Sequence, residues 1–479
     1  MSSSMLRRQT IRKNRPRHSP AGLTLAILTA IALATSCDRP AAPKKMNAGE
    51  KTAELPDSSV KKTTPNRVIS PPQSTETISA QPVAESFSWP NWLGPNHDGI
   101  TREKSWRSEW QAPAPPVLWR AQVGTGFSSF SSAEQRLFTM GNTGEAGGTE
   151  AVFCLSPENG KEIWRHAYPG QLLPNLHEGG PAATPTIDGN FVYTLGKEGQ
   201  LFCLEAATGE VIWKTSLRKE FDVSVPEWGF SCSPRIYQEK LIVEGGRIAC
   251  FDKHTGEKLW QTPPAAAGYG SPVVFEHQGI ELIAVLTNEG LTVVQLDTGQ
   301  LVAFEAWETS FQTNSSTPIV TNDQIFISTG YNKGCGLFQL QDDRFNLVYE
   351  NRDMANHFNN SILWDGHLYG IHGNSHQPRL CTLVCMHWAT GEVKWEQRGF
   401  GCGAVLLAGD KLVVLSQEGT LFVVEATSDA YREISQLPVF DASLKEIKCW
   451  TVPILVNGRL YCRNAEGDVV CIDVRDSKS

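Results

Sequence analysis

Positive charge is scarce in this sequence, which carries 43 lysines and arginines against 51 aspartates and glutamates and a net charge of −8. A protein that binds nucleic acid presents a basic face, so this balance argues against a nucleic-acid partner. Six cations precede an apolar run near the amino end, and a chain processed after them would carry about −14 (−8 − 6). These six are Arg7, Arg8, Arg12, Lys13, Arg15 and Arg17.

The cysteines lack the patterns of a metal site or a dense disulfide scaffold. No two are adjacent, and Cys381 and Cys385 stand four apart on a predicted strand without the second pair that a zinc site requires. Setting Cys37 aside, eleven of the twelve remain, which is an odd number. Five recur at one position of a repeated strand, where a small buried residue is the simplest interpretation: Cys154, Cys203, Cys250, Cys385 and Cys471.

The apolar run near the amino end is too short to span a membrane. Residues 21–34 form a run of fourteen, where a transmembrane helix needs about 20. The run follows a basic region and precedes small residues, as in a signal peptide. The segment LATSC at 33–37 resembles a bacterial lipobox. Residues 1–37 are therefore predicted to be a signal peptide with Cys37 lipidated, with ordinary secretion or a retained anchor as alternatives.

Large apolar side chains are rare in residues 38–87, which are rich in Pro, Ala, Ser, Thr and Lys. Such a segment cannot offset its ordering entropy by burial, so it is predicted to be a flexible tether. The segment WPNWLGPNHDGI at 89–100 follows it, and two clustered tryptophans indicate that a folded body begins there. We predict that this body spans residues 88–476 and that 477–479 form a tail.

No stretch between Pro116 and Asp476 has the pattern of a helix of ordinary length. Instead, FCLEAATGEVIW, ACFDKHTGEKLW and VCMHWATGEVKW align without gaps, and a fourth segment replaces the threonine by Asn159. Each is a strand, a turn in which glycine supplies positive φ, and a second strand that ends on tryptophan. Four short strands repeat every 46 residues or so, about the length of a propeller blade.

Eight such units can be counted, and the last lacks its fourth strand. The segment PVLWRAQV at 116–123 is predicted to supply that strand, so the fold class is all-β, an eight-bladed β-propeller of four-stranded antiparallel blades closed by an N-terminal strand. Three blades carry Phe304, Tyr349 or Ile434 near the tryptophan position. Five tryptophans are predicted to dock between blades, where burial of each indole contributes about 2–3 kcal/mol. They are Trp119, Trp164, Trp213, Trp260 and Trp395.

The pattern in CFDKHTGEKLW resembles the tryptophan-docking motif of quinoprotein propellers. That family includes dehydrogenases that use pyrroloquinoline quinone (PQQ) and the BamB-like lipoproteins of outer-membrane assembly. The segments WPNWLGPNHDGI, GYNKGCGLFQL, GNSHQP and WEQRGFGCG are similar to those of PQQ-binding-like repeat proteins abundant in planctomycetes. The resemblance covers residues 88–476 and implies the fold, while it leaves the function open.

The loops that join the outer strand of one blade to the inner strand of the next are expected on one face, the rim of the central channel. Amides, histidines and aromatic rings there suit a polar planar ligand or a peptide, although the same groups can serve only to satisfy loop backbones. The candidates are His177, Glu178, Glu227, Trp228, Tyr269, Gln312, Asn314, His357, Asn359, Asn360, Arg398 and Trp450, with His372, Asn374 and His376 from a loop within a blade.

The leading hypothesis is a monomeric, non-catalytic binding or scaffolding module, anchored to a membrane by its lipid and facing the periplasm, with an envelope protein, a peptide or a small polar ligand at the rim. A PQQ dehydrogenase, which the resemblance also allows, requires calcium held by carboxylates and amides and an aspartate base. Among the rim loops only Asp353 offers an aspartate, so no cofactor, metal or catalytic residue is assigned. A PQQ-and-calcium oxidoreductase acting on alcohols or sugars and a carbohydrate-binding envelope protein remain the alternatives.

Overall fold

The computed structural model of the chain describes residues 87–476, except 111, 146–147, 173, 175–176 and 442–446. The predicted signal peptide, Cys37, the predicted tether up to residue 86 and the tail lie outside the described residues. In the part of the chain that is described, no helix has the length and hydrophobicity needed to cross a bilayer.

Eight sheets of short antiparallel strands follow one another along the chain. From the channel outward, blades 1 to 4 consist of Ser131–Ala133, Arg136–Asn142, Thr149–Leu155 and Glu162–Pro169; Thr186–Asp188, Phe191–Leu195, Gln200–Glu205 and Val211–Ser216; Arg235–Tyr237, Lys240–Glu244, Ile248–Asp252 and Lys258–Gln261; and Val273–His277, Ile280–Leu286, Gly290–Gln295 and Leu301–Ala306.

Blades 5 to 8 repeat the arrangement, with the outer strand of blade 8 taken from the amino end. They consist of Ile319–Thr321, Gln324–Thr329, Gly334–Gln341 and Arg344–Asn351; Ile362–Trp364, His367–His372, Thr382–His387 and Val393–Arg398; Ala404–Ala408, Lys411–Leu415, Thr420–Glu425 and Glu433–Pro438; and Ile454–Val456, Arg459–Arg463, Asp468–Asp473 and Val117–Gln122. The described helices are a five-residue α-helix, Leu217–Phe221, and a 3₁₀ turn, Pro378–Leu380.

The ring is closed as the sequence predicts. Val117–Gln122 runs antiparallel to Asp468–Asp473, with Arg120 opposite Val470, which confirms the eight-bladed fold and its closure by an N-terminal strand. Arg463 of blade 8, whose side chain is fully buried, adds to the closure. Its guanidinium donates to the carbonyls of Gly124 and Ser128, just before blade 1, and of Met140 in the second strand of blade 1.

The five predicted docking tryptophans, each the third residue of an outer strand, contact the next blade in the same way. Each indole Nε1 donates to a backbone carbonyl 2.8–3.0 Å away in the following blade; the pairs are Trp119–Pro157, Trp164–Ala206, Trp213–Lys253, Trp260–Leu296 and Trp395–Thr427. In four of these junctions a turn glycine with positive φ lies against the indole, so closely that a Cβ would stand 2.3–2.6 Å from the ring: Gly160, Gly209, Gly256 and Gly299.

The three blades without this tryptophan differ from one another. Tyr349 occupies the position in blade 5, packed against Gly391. In blades 4 and 7 the residues at the tryptophan position are Ala303 and Ser435, each next to the residue predicted to lie near it, Phe304 and Ile434 respectively.

The amino-terminal residues 87–110, here called the strap, cross the channel end opposite the rim. Trp89 exchanges two backbone hydrogen bonds with Ser132 of blade 1. Ile100–Thr101 pairs in parallel with the inner strand of blade 7, and the amide of Gly458 in blade 8 donates to Glu103 Oε1. The strap therefore joins distant blades at the bottom of the channel before the chain enters blade 8.

Candidate functional site

The rim end of the channel opens into a cavity of about 1060 Å³. Its floor includes Trp92 of the strap, whose indole Nε1 donates to Thr317 Oγ1 at 3.1 Å. Because the strap crosses below, the cavity is a funnel with its mouth at the rim.

A chain of hydrogen bonds runs from blade to blade around the base of this funnel. Just before the inner strands of blades 1 to 5, a backbone N–H donates to a side-chain oxygen of the next blade at 2.9–3.3 Å; the order is Ser129, Thr184, Ser233, Ser271, Thr317 and Asn360. Ser129 Oγ donates to the carbonyl of Val452 in blade 8 at 2.8 Å. All six side chains are buried, so this hydroxyl ring fixes the inner strands and leaves a polar floor.

The wall of the cavity carries a continuous series of aromatic side chains, here called the aromatic arc. Neighbouring ring centroids lie 4.5–5.8 Å apart, within the range of favourable ring contacts. In order, the members are Trp228, His177, Phe127, Trp450, Phe358, His357 and Tyr331, with Phe311 and His376 both packed on Tyr331. Phe311 is 60% exposed at the mouth, so the arc extends from the floor region to solvent.

Seven of the twelve candidates from loops between blades line the cavity: His177, Glu227, Trp228, Tyr269, His357, Asn359 and Trp450. Asn374 and His376 line it as well. Whether they bind a ligand is not decided by their position and remains a prediction.

The other predicted side chains lie elsewhere. Asn314 is fully buried, where its Nδ2 donates to the carbonyls of Thr287 and Trp307. Gln312 and Arg398 are exposed outside the lining. Glu178 stands behind the wall and pairs with Lys448 at 2.8 Å.

Histidine 372, too, faces away from the cavity lining, and its Nδ1 accepts from the amide of Ala355. Asn360, another predicted rim residue, is part of the hydroxyl ring, where its Nδ2 also donates to the carbonyl of Thr317. The side chains of His372 and Asn360 therefore bind loop backbone, which is the alternative role expected for rim residues.

Two histidines of the arc are held neutral. Burial, with Lys197 nearby, lowers the pKa of His177 to about 4, and burial, with His376 nearby, lowers that of His357 to about 4. Each ring Nδ1 accepts a backbone N–H, from Gly179 and Ser375 respectively. At neutral pH both therefore present uncharged rings to a ligand.

Ionisable groups also lie directly behind the rim. Burial raises the pKa of Glu244 to about 8, although the amides of Gly246 and Gly268 donate to its Oε1. Burial raises the pKa of Glu150 to about 7 and lowers that of Lys197 to about 8. Lys197 Nζ donates to the carbonyl of Trp228, so Lys197 helps to fix the backbone of a residue of the aromatic arc.

Several members of the arc were not singled out from the sequence, namely Phe127, Phe311, Tyr331 and Phe358. Phe127 and Phe358 lie in loops that were assigned to the rim, next to Ser128 and His357, and an aromatic residue in each rim loop was the available signal. Tyr331 lies in the turn between the second and third strands of blade 5, with φ of 55°. Antiparallel strand order places such a turn on the rim side, but it does not show which of its side chains face the cavity.

The residues present do not fit PQQ and calcium. PQQ carries three carboxylates, yet among the described lining residues the one ammonium group is Lys448, which already pairs with Glu178. Calcium takes six to eight oxygen ligands, and the described residues contain no cluster of three or more His, Cys, Asp or Glu that could hold a metal. Glu227 is the single carboxylate of the described lining.

Comparison with known proteins supports the architecture. The chain is 24% identical over 322 residues to the outer membrane protein assembly factor BamB of Burkholderia pseudomallei (strain K96243), covering 64% of this chain and 75% of that protein. It is 26% identical over 260 residues to polyvinylalcohol dehydrogenase of Sphingopyxis sp. (strain 113P3), covering 50% of this chain but only 37% of that enzyme.

Among solved structures, a europium-containing methanol dehydrogenase matches with a TM-score of 0.59 at 10% identity, over 79% of this chain and 89% of that one. At this identity the match shows a shared fold alone. A family model described as outer membrane protein assembly factor BamB matches residues 149–397, which is more than half of the chain. The chain therefore belongs to this family of PQQ-like repeat β-propellers.

Proposed function

We propose that the chain is a non-catalytic binding module of the cell envelope that holds its ligand in the rim cavity. The observation that carries this proposal is the aromatic arc, since nine rings from eight loops face one funnel whose floor is closed by the strap. Membership of a family named for an outer membrane assembly factor supports an envelope role, and the predicted lipobox supports export and anchoring at Cys37.

The favoured ligand is a segment of an envelope protein that inserts an apolar or aromatic side chain. The mouth offers exposed Phe311, and the wall offers Trp228 and Trp450 with neutral histidines beside them. Buried aromatic anchors of this kind supply most of the energy in protein interfaces.

The test is binding of peptides from envelope proteins to the mature chain on an array, followed by titration of the best binders. Trp228→Ala and Trp450→Ala should each weaken binding roughly 10- to 30-fold, as expected for a hot-spot aromatic. Phe304→Ala is the matched control, because Phe304 is 46% exposed on the outer strand of blade 4, outside the lining. Unchanged affinity in both tryptophan variants would place the ligand elsewhere.

A second candidate is a saccharide, and the composition of the lining favours it. Apart from Glu227 and Lys448, the polar groups of the described lining are hydroxyls, amides and imidazoles. Neutral hydroxyl-rich ligands with flat apolar faces match such a site. A glycan array separates the two candidates, because selective glycan binding that Trp450→Ala abolishes would replace the peptide proposal.

A PQQ dehydrogenase is not proposed, since the donor set does not fit. Adding PQQ and calcium to the purified chain and measuring dye-linked oxidation of alcohols and sugars tests this directly. We expect no turnover above a sample of the chain without PQQ, and sustained oxidation would overturn the binding-module proposal.

Membrane attachment is tested separately. The full-length chain expressed in a bacterium should incorporate labelled fatty acid and sediment with membranes, whereas Cys37→Ala should do neither. Labelling that persists in Cys37→Ala would contradict lipidation at this cysteine.

A further inference from the structure

Two cysteines of blade 6 touch behind the cavity wall. Cys381 directly precedes the strand Thr382–His387, and Cys402 lies between the strands Val393–Arg398 and Ala404–Ala408. Their sulfur atoms are 3.3 Å apart, and the residues are 0% and 3% exposed. A disulfide bond is about 2.05 Å long, and rotation of the side chains can bring the two sulfur atoms to that distance.

The strand cysteines of the repeat are in a different situation. Cys154, Cys250 and Cys471 are fully buried in separate blades, and burial raises the pKa of each to about 12. Cys381 and Cys402 instead share a hydrogen bond, which lowers the pKa of the Cys381 thiol and raises that of Cys402. One sulfur is thus prepared as a nucleophile and the other as its partner.

The pair also lies at a junction of the cavity wall. Cys381 Sγ is 3.5 Å from the carbonyl oxygen of Asn374 and 3.8 Å from that of Gln377, both in a loop whose side chains line the cavity. Gln417 Oε1 accepts from the amide of Cys402 at 3.1 Å and from the indole of Trp450 at 3.2 Å. A covalent bond here would fix that loop relative to the aromatic arc.

We propose that Cys381 and Cys402 form a modification site at which thiol–disulfide exchange joins them in an intrachain disulfide. When the loop that covers Cys381 opens locally, the Cys381 thiolate attacks one sulfur of a small-molecule disulfide, forming a mixed disulfide and releasing one thiol. The Cys402 thiolate then displaces the second thiol, so two cysteines are oxidised and one disulfide is reduced to two thiols. The proposal rests on the proposed export, because such oxidants persist outside the cytosol.

The experiment measures the number of free thiols in the mature chain with Cys37→Ala, which leaves the eleven described cysteines. After equilibration of the folded protein with oxidised glutathione, denaturation and alkylation, nine cysteines should be labelled (11 − 2), and all eleven after reduction. A non-reducing digest should contain one cross-linked peptide joining Cys381 and Cys402. Eleven labelled cysteines after oxidation, or a cross-link between other cysteines, would overturn the proposal.

Two further measurements distinguish a failure of the disulfide site from a failure of the proposed export. The disulfide should raise Tm by roughly 5 °C, since it closes a loop of about 20 residues, and Cys381→Ser or Cys402→Ser should remove the shift while Cys385→Ser, a buried control in the same blade, keeps it. A bond that forms in vitro but is reduced in cells supports the site and overturns the export. Failure in vitro overturns the site whatever the location.

Discussion

The two ends of the central channel are built in opposite ways. The strap end is closed by backbone pairing and by large buried side chains, with Trp89 only 2% exposed and bonded through its backbone to Ser132. The rim end is open, and side chains from many loops form its wall. The difference indicates that one end stabilises the ring, whereas the other keeps surface available for a ligand.

The rim end also holds buried ionisable groups. Burial raises the pKa values of Glu244 and Glu150 and lowers those of His177 and His357. In all four groups it therefore favours the neutral form. Neutral groups cost less free energy than charged groups in a cavity that is partly shielded from water. Because these groups ionise when the pH changes, the stability of the rim end depends on pH.

The largest expected effect is at the strap end. Trp89→Ala should lower the free energy of unfolding by about 3–5 kcal/mol, because it leaves a cavity in the cluster shared by blades 1, 7 and 8. Urea unfolding followed by circular dichroism measures the change. Trp92→Ala, in the same strap but only partly buried, should cost less and alter ligand binding. Equal losses in the two variants would break the proposed division between the ends.

Next in size is the alkaline response of the rim end. Burial raises the pKa of Glu244 to about 8 from its ordinary value of 4.5, so between these values the folded state binds more protons than the unfolded state and stability falls as pH rises. Glu244→Gln should flatten this slope in unfolding measurements from pH 5 to pH 8. Trp92→Ala should retain the wild-type slope, and an unchanged slope in Glu244→Gln would assign the response to other groups.

The acid response has the opposite sign. Burial lowers the pKa of His357 to about 4 from its ordinary value of 6.5, so between these values the unfolded state binds more protons and stability falls as pH falls. His357→Asn can still accept from the amide of Ser375 but does not titrate. Its unfolding free energy should depend less on pH between 4 and 6.5, and a slope equal to that of the wild type would contradict this assignment.

The smallest expected effect lies at neither end. Trp213→Phe removes the hydrogen bond from the indole to the carbonyl of Lys253 and should cost about 1 kcal/mol. Because this junction lies on the outer part of the blades, ligand affinity and both pH slopes should remain those of the wild type. A large change in affinity would show that the junctions and the rim are coupled.

Local patterns made most of the fold predictable. Alternating strands, turns with Thr-Gly and the recurring tryptophan depend on neighbours within about ten residues, and the structure places them in four-stranded blades. Phe304 and Ile434 were predicted only to lie near the tryptophan position, which Ala303 and Ser435 occupy; the exact residue depends on a β-bulge, and a bulge leaves no mark in hydrophobic alternation.

The candidate site was less predictable. Rim loops could be assigned from strand order, but not which side chains face inward. Asn314 lies among rim residues in the sequence, yet it turns back to hold two loop carbonyls. Tyr331 and Phe358 were passed over, yet they stand next to His357 in the arc.

The sequence by itself determined the repeat, the number of blades, the closing strand and the family, because each follows from short-range periodicity and from motifs a few residues long. Only the tertiary structure decided that the strap closes one end of the channel, that nine rings meet at the other, and that Cys381 and Cys402 touch. These are contacts between segments distant in the chain, and the bending of the sheets into a ring, not any local preference, brings them together.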